Sequence, residues 1–141
     1  MVPHTVVVDF AVALLATSVV CDLLSSTVDE QDLRIVASWT LTFGALAAAF
    51  AVLSGYAAYN AALPTGAAEV TVLRHRLGGW VVLATFAPLA AWRLVARGKL
   101  PERGRSLYWV VALLGAGALA TTAYLGGNAV YQHGVGVTLV P

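Results

Sequence analysis

Four long apolar stretches decide what this chain can become. A helix that crosses a bilayer needs about 20 mostly apolar residues. The stretches run from about Thr5 to Leu24, Ile35 to Asn60, Leu77 to Trp92 and Leu107 to Tyr131. The third is the shortest, and it recruits flanking residues to cover about 74 to 95. Lipid offers no hydrogen bonds to a free strand edge, so such spans must be helices packed together. The expected fold is therefore all-α: an integral membrane four-helix up-down bundle, one domain over residues 1–141.

Composition agrees with that reading. Apolar residues make up 60% of the chain and charged residues 11%, whereas a soluble domain carries about 25% charged residues. Mean hydropathy is +0.82. A formal net charge of +1 gives no electrostatic case for nucleic acid. Cys21 is the single cysteine, so neither an internal disulfide nor a Cys-rich metal site can form. Met1-Val2-Pro3-His4 lacks the basic residues of a secretory leader, and the first span is read as retained.

The connectors are polar and carry breakers. Ser25 to Asp32 joins the first two spans, Leu63-Pro64-Thr65-Gly66 opens the second connector, and Gly98 to Arg105 forms the third. The basic residues give a direction. Arg34, Arg93, Arg97, Lys99, Arg103 and Arg105 fall on one side, and only Arg74 and Arg76 on the other. Short loops rich in Lys and Arg stay in the cytoplasm, which puts both termini outside. Trp39, Trp92, Tyr108 and Trp109 then lie near the cytoplasmic boundary. Tyr56, Tyr59, Trp80, Tyr124 and Tyr131 lie toward the outer one, as an aromatic belt would. In a prokaryote this is a multi-pass inner-membrane protein in contact with lipid.

All three histidines fall on the outer side: His4 before the first span, His75 at the start of the third, His133 after the fourth. Imidazole is the commonest metal ligand and a usual axial ligand of haem iron. Up-down connectivity sets helices one and three diagonally across the bundle, and a porphyrin needs ligands on opposite faces. From Asp22 back to His4 and from Arg93 back to His75 are both 18 residues, or about 27 Å of helix. These two histidines are level. His133 is 27 residues beyond Ser106, about 40 Å in a straight helix, and so about two turns further out. A bend at Gly126-Gly127 would bring it back. Gly78 and Gly79 share the face of His75, while Gly126 and Ala129 share that of His133. They leave room for a flat cofactor or for another helix. Gly44, Ala48 and Gly55 in helix two, and Gly115, Gly117 and Ala118 in helix four, read as ordinary membrane-helix packing.

Asp9 lies more than a turn inside the first span. An ionisable residue there either faces a cavity or partner, such as Arg74, Arg76 or a histidine, or sits at the interface near a helix N-terminus. Asp22 and Arg34 read as interface anchors. Tyr56, Tyr59, Asn60, Asn128, Tyr131 and Gln132 add hydrogen-bonding groups on the outer side, suited to carboxylates, a quinone head group or water. No nucleophilic triad, His-Glu-x-x-His or phosphate loop is present. The absence of repeats or broken helices argues against a transporter.

The order of motifs resembles a known family. His4-Thr5-Val6-Val7-Val8-Asp9-Phe10 begins helix one, Ser54-Gly55-Tyr56-Ala57-Ala58-Tyr59 ends helix two, and His75-Arg76-Leu77-Gly78 opens helix three. Helix four closes on Gly126-Gly127-Asn128-Ala129-Val130-Tyr131-Gln132-His133-Gly134-Val135-Gly136-Val137. This resembles the predicted membrane proteins of domain of unknown function 2231. The resemblance implies four helices with a histidine in helix one, in helix three and after helix four. It also implies an association with cytochrome c or Rieske-type domains, hence redox work at the outer face with haem b as cofactor. The pattern departs at Asp9, where such proteins commonly carry a second histidine, and at Thr5, where they carry proline.

The resulting expectation is a b-type cytochrome-like subunit rather than a stand-alone enzyme. It would carry electrons between a quinol pool or membrane redox subunit and an outer redox protein. His4 and His75 are the expected haem iron ligands, with His133 the alternate. Gly78, Gly79, Gly126 and Gly127 would border the cofactor, and Asp9, Arg74, Arg76, Asn128 and Tyr131 would support it. Two other readings stay open: a Cu- or Zn-binding module built on the three imidazoles with Asp9, and a cofactor-free structural subunit of a larger complex or homo-oligomer. Orientation is directly checkable. A C-terminal alkaline phosphatase fusion is expected to be active and a C-terminal green fluorescent protein fusion dark; the reverse pattern would turn the bundle over.

Overall fold

The computed structural model describes residues 4–28, 30–100 and 103–137. They form α1 (His4–Val28), α2 (Gln31–Ala62), α3 (Ala67–Val95) and α4 (Arg105–Tyr131), with no strand among the described residues. All four helices are long and apolar enough to cross a membrane. Each exceeds its apolar run because polar turns continue it at the ends. The largest gain is in α3, where Ala67, Ala68, Glu69 and Val70 are good enough helix formers to start the helix seven residues before the expected 74.

Backbone geometry ends the helices where the sequence places breakers. Leu63 caps α2 in the left-handed region (φ 44°), and Pro64 and Gly66 (φ 61°) follow. Between α3 and α4, Arg97 (φ 55°), Gly98 (φ 78°) and Gly104 (φ 83°) reverse the chain. The result is an up-down bundle in which α1 packs along α2, α3 along α4, and α2 against α3. The contact between α1 and α4 is short, and α1 and α3 face each other diagonally.

The middle of the bundle is close-packed through small residues. A Cβ on Gly44 would lie 2.8 Å from Leu15 Cδ2, and one on Gly115 would lie 2.8 Å from Thr85 Cγ2 and 3.0 Å from the Phe86 ring. Leu15, Leu41 and Phe86 are buried in the centre for that reason. Phe10, Phe43, Phe50, Leu53 and Leu114 point outward, which is costly in water and ordinary against lipid tails.

One end is tied by charge. Arg93 of α3 and Asp22 of α1 are 1% and 2% exposed and form an ion pair. Arg93 Nη1 donates to Asp22 Oδ2 and to the Tyr108 hydroxyl of α4 (3.1 Å). That hydroxyl in turn donates to Asp22 Oδ2 at 2.8 Å. Arg93 Nε donates to Gly98 O (3.0 Å) and Nη2 to Arg34 O of α2 (3.0 Å). One guanidinium thus touches all four helices or their connectors. The sequence reading made Asp22 an interface anchor; it is instead enclosed, because Arg93 and Tyr108 reach it from two neighbouring helices. Its second oxygen, Oδ1, is buried with no hydrogen-bond partner among the described residues.

Removing one partner from such a pair strands a buried charge, at a cost of about 3–5 kcal/mol. Arg93→Ala is expected to be the most damaging single change in this cluster. Tyr108→Phe removes two buried hydrogen bonds, to Arg93 and Asp22, and should cost less, about 1–2 kcal/mol. Arg93→Ala/Asp22→Ala should recover part of the loss of Arg93→Ala. Unfolding midpoints of purified protein in mild detergent check the order.

Candidate functional site

At the other end of the bundle α1 and α3 present His4 and His75 to each other. Both are half-buried. Their ring centroids lie 6.4 Å apart, with the planes at 81°. Each ring is held through Nδ1. His75 Nδ1 is 2.9 Å from Thr122 O of α4. A carbonyl only accepts, so Nδ1 carries the proton and the lone pair of neutral His75 sits on Nε2. His4 Nδ1 is 2.9 Å from Ser54 Oγ of α2, and that hydroxyl donates onward to Ala51 O at 3.2 Å. With the hydroxyl proton on Ala51 O, His4 Nδ1 is the donor to Ser54 Oγ, the same tautomer as His75.

Two glycines admit the rings. A Cβ on Gly126 would stand 2.9 Å from His75 Cε1 and 3.1 Å from its Nδ1. A Cβ on Gly55 would stand 3.2 Å from His4 Cε1. Gly78 serves the same end indirectly. It lets α3 approach Thr122, the residue whose carbonyl holds His75, so closely that any Cβ would collide with the Thr122 hydroxyl. Gly79 faces Val52 at ordinary contact distance (3.5 Å), and the nearest atom to a Cβ on Gly127 is 4.0 Å away on Tyr131. Neither touches the histidine pair.

The third histidine stands apart. His133 is exposed, and its Nε2 is 3.3 Å from Thr71 Oγ1, whose proton goes to Ala67 O. Thr71 is four residues before His75, about one turn of α3. The His133 ring therefore reaches a residue one turn outward of the pair, closer than the two turns expected, with α4 ending at Tyr131. Among the described residues no group of three or more His, Cys, Asp or Glu side chains is arranged to hold a metal ion. Asp9 is exposed on α1 and makes no hydrogen bond or ion pair with the described residues. Tyr131 is exposed, and Asn128 is half-buried.

Arg74 is exposed, while Arg76 is held. The Arg76 guanidinium lies 4.2 Å from the Tyr56 ring centre and 4.9 Å from that of Tyr59. Trp80 Nε1 donates to the Tyr56 hydroxyl (3.3 Å), and the Tyr59 hydroxyl donates to Glu69 Oε1 (3.2 Å). These tyrosines do more than line a membrane boundary: they fix a cation next to His75. The sequence reading missed Ser54 and Thr122 and assigned Gly55 to packing alone. The adjacency of Ser54, Gly55 and Tyr56 within one motif was the available signal.

The arrangement offers two imidazoles from diagonal helices, each oriented through Nδ1 by its own partner. Orientation of that kind is what metal-ligating histidines require. A metal–imidazole bond is about 2.0–2.1 Å long, so two rings on opposite sides of one ion have centres about 6.3 Å apart once the ring radii are added. The observed separation is close to that distance.

Residues 3–139 match the family model described as predicted membrane protein, domain of unknown function 2231. No curated protein and no solved structure matches the chain.

The tautomer assignment is open to nitrogen NMR of histidine-labelled, metal-free protein. In neutral His75 the proton is expected on Nδ1. Gly126→Ala should push the ring off the Thr122 carbonyl and shift the His75 Nδ1 resonance, while Gly127→Ala leaves it in place.

Proposed function

We propose a haem-binding, electron-transfer role for this chain, which belongs to the family of predicted membrane proteins of domain of unknown function 2231. One observation carries the proposal: His4 and His75, 6.4 Å apart, are both held through Nδ1, which leaves Nε2 as the nitrogen that would bind iron. The donor set fits haem b. Two neutral imidazoles from facing helices, His4 and His75, would hold the iron. Gly55 and Gly126 give the two rings room where a side chain would strike them.

Bound haem would supply a one-electron Fe(III)/Fe(II) couple. The protein's own part is orientation and charge. Thr122 O and Ser54 Oγ keep a proton on each Nδ1, which raises the basicity of the ligating nitrogen. Arg76, held between Tyr56 and Tyr59, puts a fixed positive charge one residue from His75, a counter-charge for an anionic carboxylate. Arg74 lies in the same turn. Asn128 and His133 remain candidates for a quinol or a carboxylate at the mouth of the site. The excess of Lys and Arg at the opposite end supports an outer-leaflet position for the histidines. Partners on this reading are membrane redox subunits or an outer redox protein of cytochrome or Rieske type.

A Cu or Zn site would need a third protein donor, and neither His133 nor Asp9 is brought to the pair.

Visible spectra of purified protein, oxidised and reduced, test the proposal. A Soret band that sharpens and shifts on reduction is expected. His4→Ala and His75→Ala should each abolish it, and His133→Ala should retain it. Ser54→Ala should weaken haem retention by about 10–100-fold, the usual effect of losing a ligand's second partner. Wild-type protein that folds, by helical circular dichroism, yet never takes up haem would leave the cofactor-free subunit as the reading.

A further inference from the structure

The charged end of the bundle holds a second feature, unconnected with the histidines. A cleft of about 930 Å³ opens between the start of α2, the connector after α3 and the start of α4. Arg34, Arg97, Lys99 and Arg105 line it, and no acidic residue is among its described lining residues. Gathering four cations in one cleft raises the local potential and attracts a counter-anion.

The walls are built rather than loose. Arg97 and Gly98 both adopt positive φ (55° and 78°), which folds the connector back on the bundle. There a Cβ on Gly98 would lie 3.3 Å from Ser38 Oγ, so the connector rests on α2. Arg93 fixes both sides at once, through Gly98 O in the connector and Arg34 O in α2. The cations on either side of the cleft are thus anchored to the buried ion pair.

The remaining lining tells which anion. Ser25, Ser26, Gln31 and Ser38 offer hydroxyl and amide groups on the polar side. Leu94 and Trp39, also in the lining, are 57% and 58% exposed on helix surfaces that face outward from the bundle. An interfacial tryptophan marks the depth of lipid head groups. A cleft with cations and hydroxyls at its polar end and exposed apolar side chains at its membrane end matches a phosphate group attached to acyl chains. Basic pockets between membrane helices hold such head groups.

We propose that this cleft binds the phosphate head group of an anionic phospholipid. Arg97, Lys99 and Arg105 contact the phosphate, and Trp39 and Leu94 border the first carbons of the acyl chains. The site is independent of the haem reading, which concerns the other end of the helices.

The test uses full-length protein in phosphatidylcholine vesicles with and without phosphatidylglycerol or cardiolipin. Spin-labelled lipid measures occupancy in the membrane, and native mass spectrometry counts the lipid retained after extraction. Wild type is expected to retain anionic lipid selectively. Arg97→Gln/Lys99→Gln/Arg105→Gln should lower that affinity at least tenfold, with each cation near a membrane surface contributing about fivefold. Arg103→Gln is the control, because Arg103 is exposed at the same end but outside the cleft lining. Equal losses from Arg103→Gln and Arg97→Gln would overturn the proposal in favour of diffuse surface charge. So would unchanged lipid binding by the triple variant. Displacement of bound lipid by inorganic phosphate at comparable concentration would overturn it in favour of a soluble anion. Helical circular dichroism identical to wild type shows that the variants fold.

Discussion

Everything in this bundle is organised around one guanidinium. Apolar helices gain little by associating in lipid, because lipid tails solvate them as well as neighbouring helices do. Small-residue packing, as at Gly44 and Gly115, lets backbones approach but does not by itself choose partners or depth. Arg93 does. Its donors are shared among Asp22 of α1, Arg34 O of α2, Gly98 O of the connector and Tyr108 of α4. A buried charge with several required partners cannot slide along a helix without losing them. The cluster therefore sets both which helices meet and at what height.

That setting reaches the other end of the molecule through helical geometry. His4 and Asp22 are 18 residues apart on α1, and His75 and Arg93 are 18 apart on α3. Eighteen residues are about five whole turns, so each histidine lies on the same face of its helix as the charge below it. Pairing Asp22 with Arg93 then brings His4 level with His75 and turns both toward the same axis. The same interval separates Tyr108 from Gly126 on α4, and Ala37, fully buried, from Gly55 on α2. Four helices share one period. The ion cluster at one end and the imidazole pair with its two glycines at the other are two readings of that period.

This explains what the sequence could reveal. The spans, their connectors and the level of the two histidines follow from composition, breakers and rise per residue, all local properties of the chain. The departure of His133 from its expected height is also local: its helix stops at Tyr131, which a sum over an unbroken helix ignores. What stayed hidden is pairing across helices. Asp22 looks like a boundary residue until Arg93 is known to face it. Ser54 looks like a tolerated helix hydroxyl, and Thr122 offers only its backbone. Gly55 and Gly44 are indistinguishable in sequence, yet one admits an imidazole and the other a leucine. The equal intervals of 18 residues held much of this information, but only as depth until a contact at one end supplied rotation as well.

The Thr122 carbonyl shows how a helix can lend a backbone group to a site. In a helix each carbonyl points toward the residue four positions on and bonds its N–H. For Thr122 that residue is Gly126. A side chain there would cover the carbonyl oxygen from the side, and its Cβ would lie within 3.1 Å of the His75 Nδ1 that approaches. Glycine leaves the second lone pair open, so one oxygen can serve the helix and the imidazole together. Gly126 thus acts on the tautomer of His75 through access rather than contact. Glycine also weakens a helix, by about 1 kcal/mol relative to alanine. That loss is small beside leaving a histidine in lipid without an orienting acceptor. Glycine next to a histidine on the facing helix is therefore better read in this bundle as a question about the imidazole than as one about helix packing.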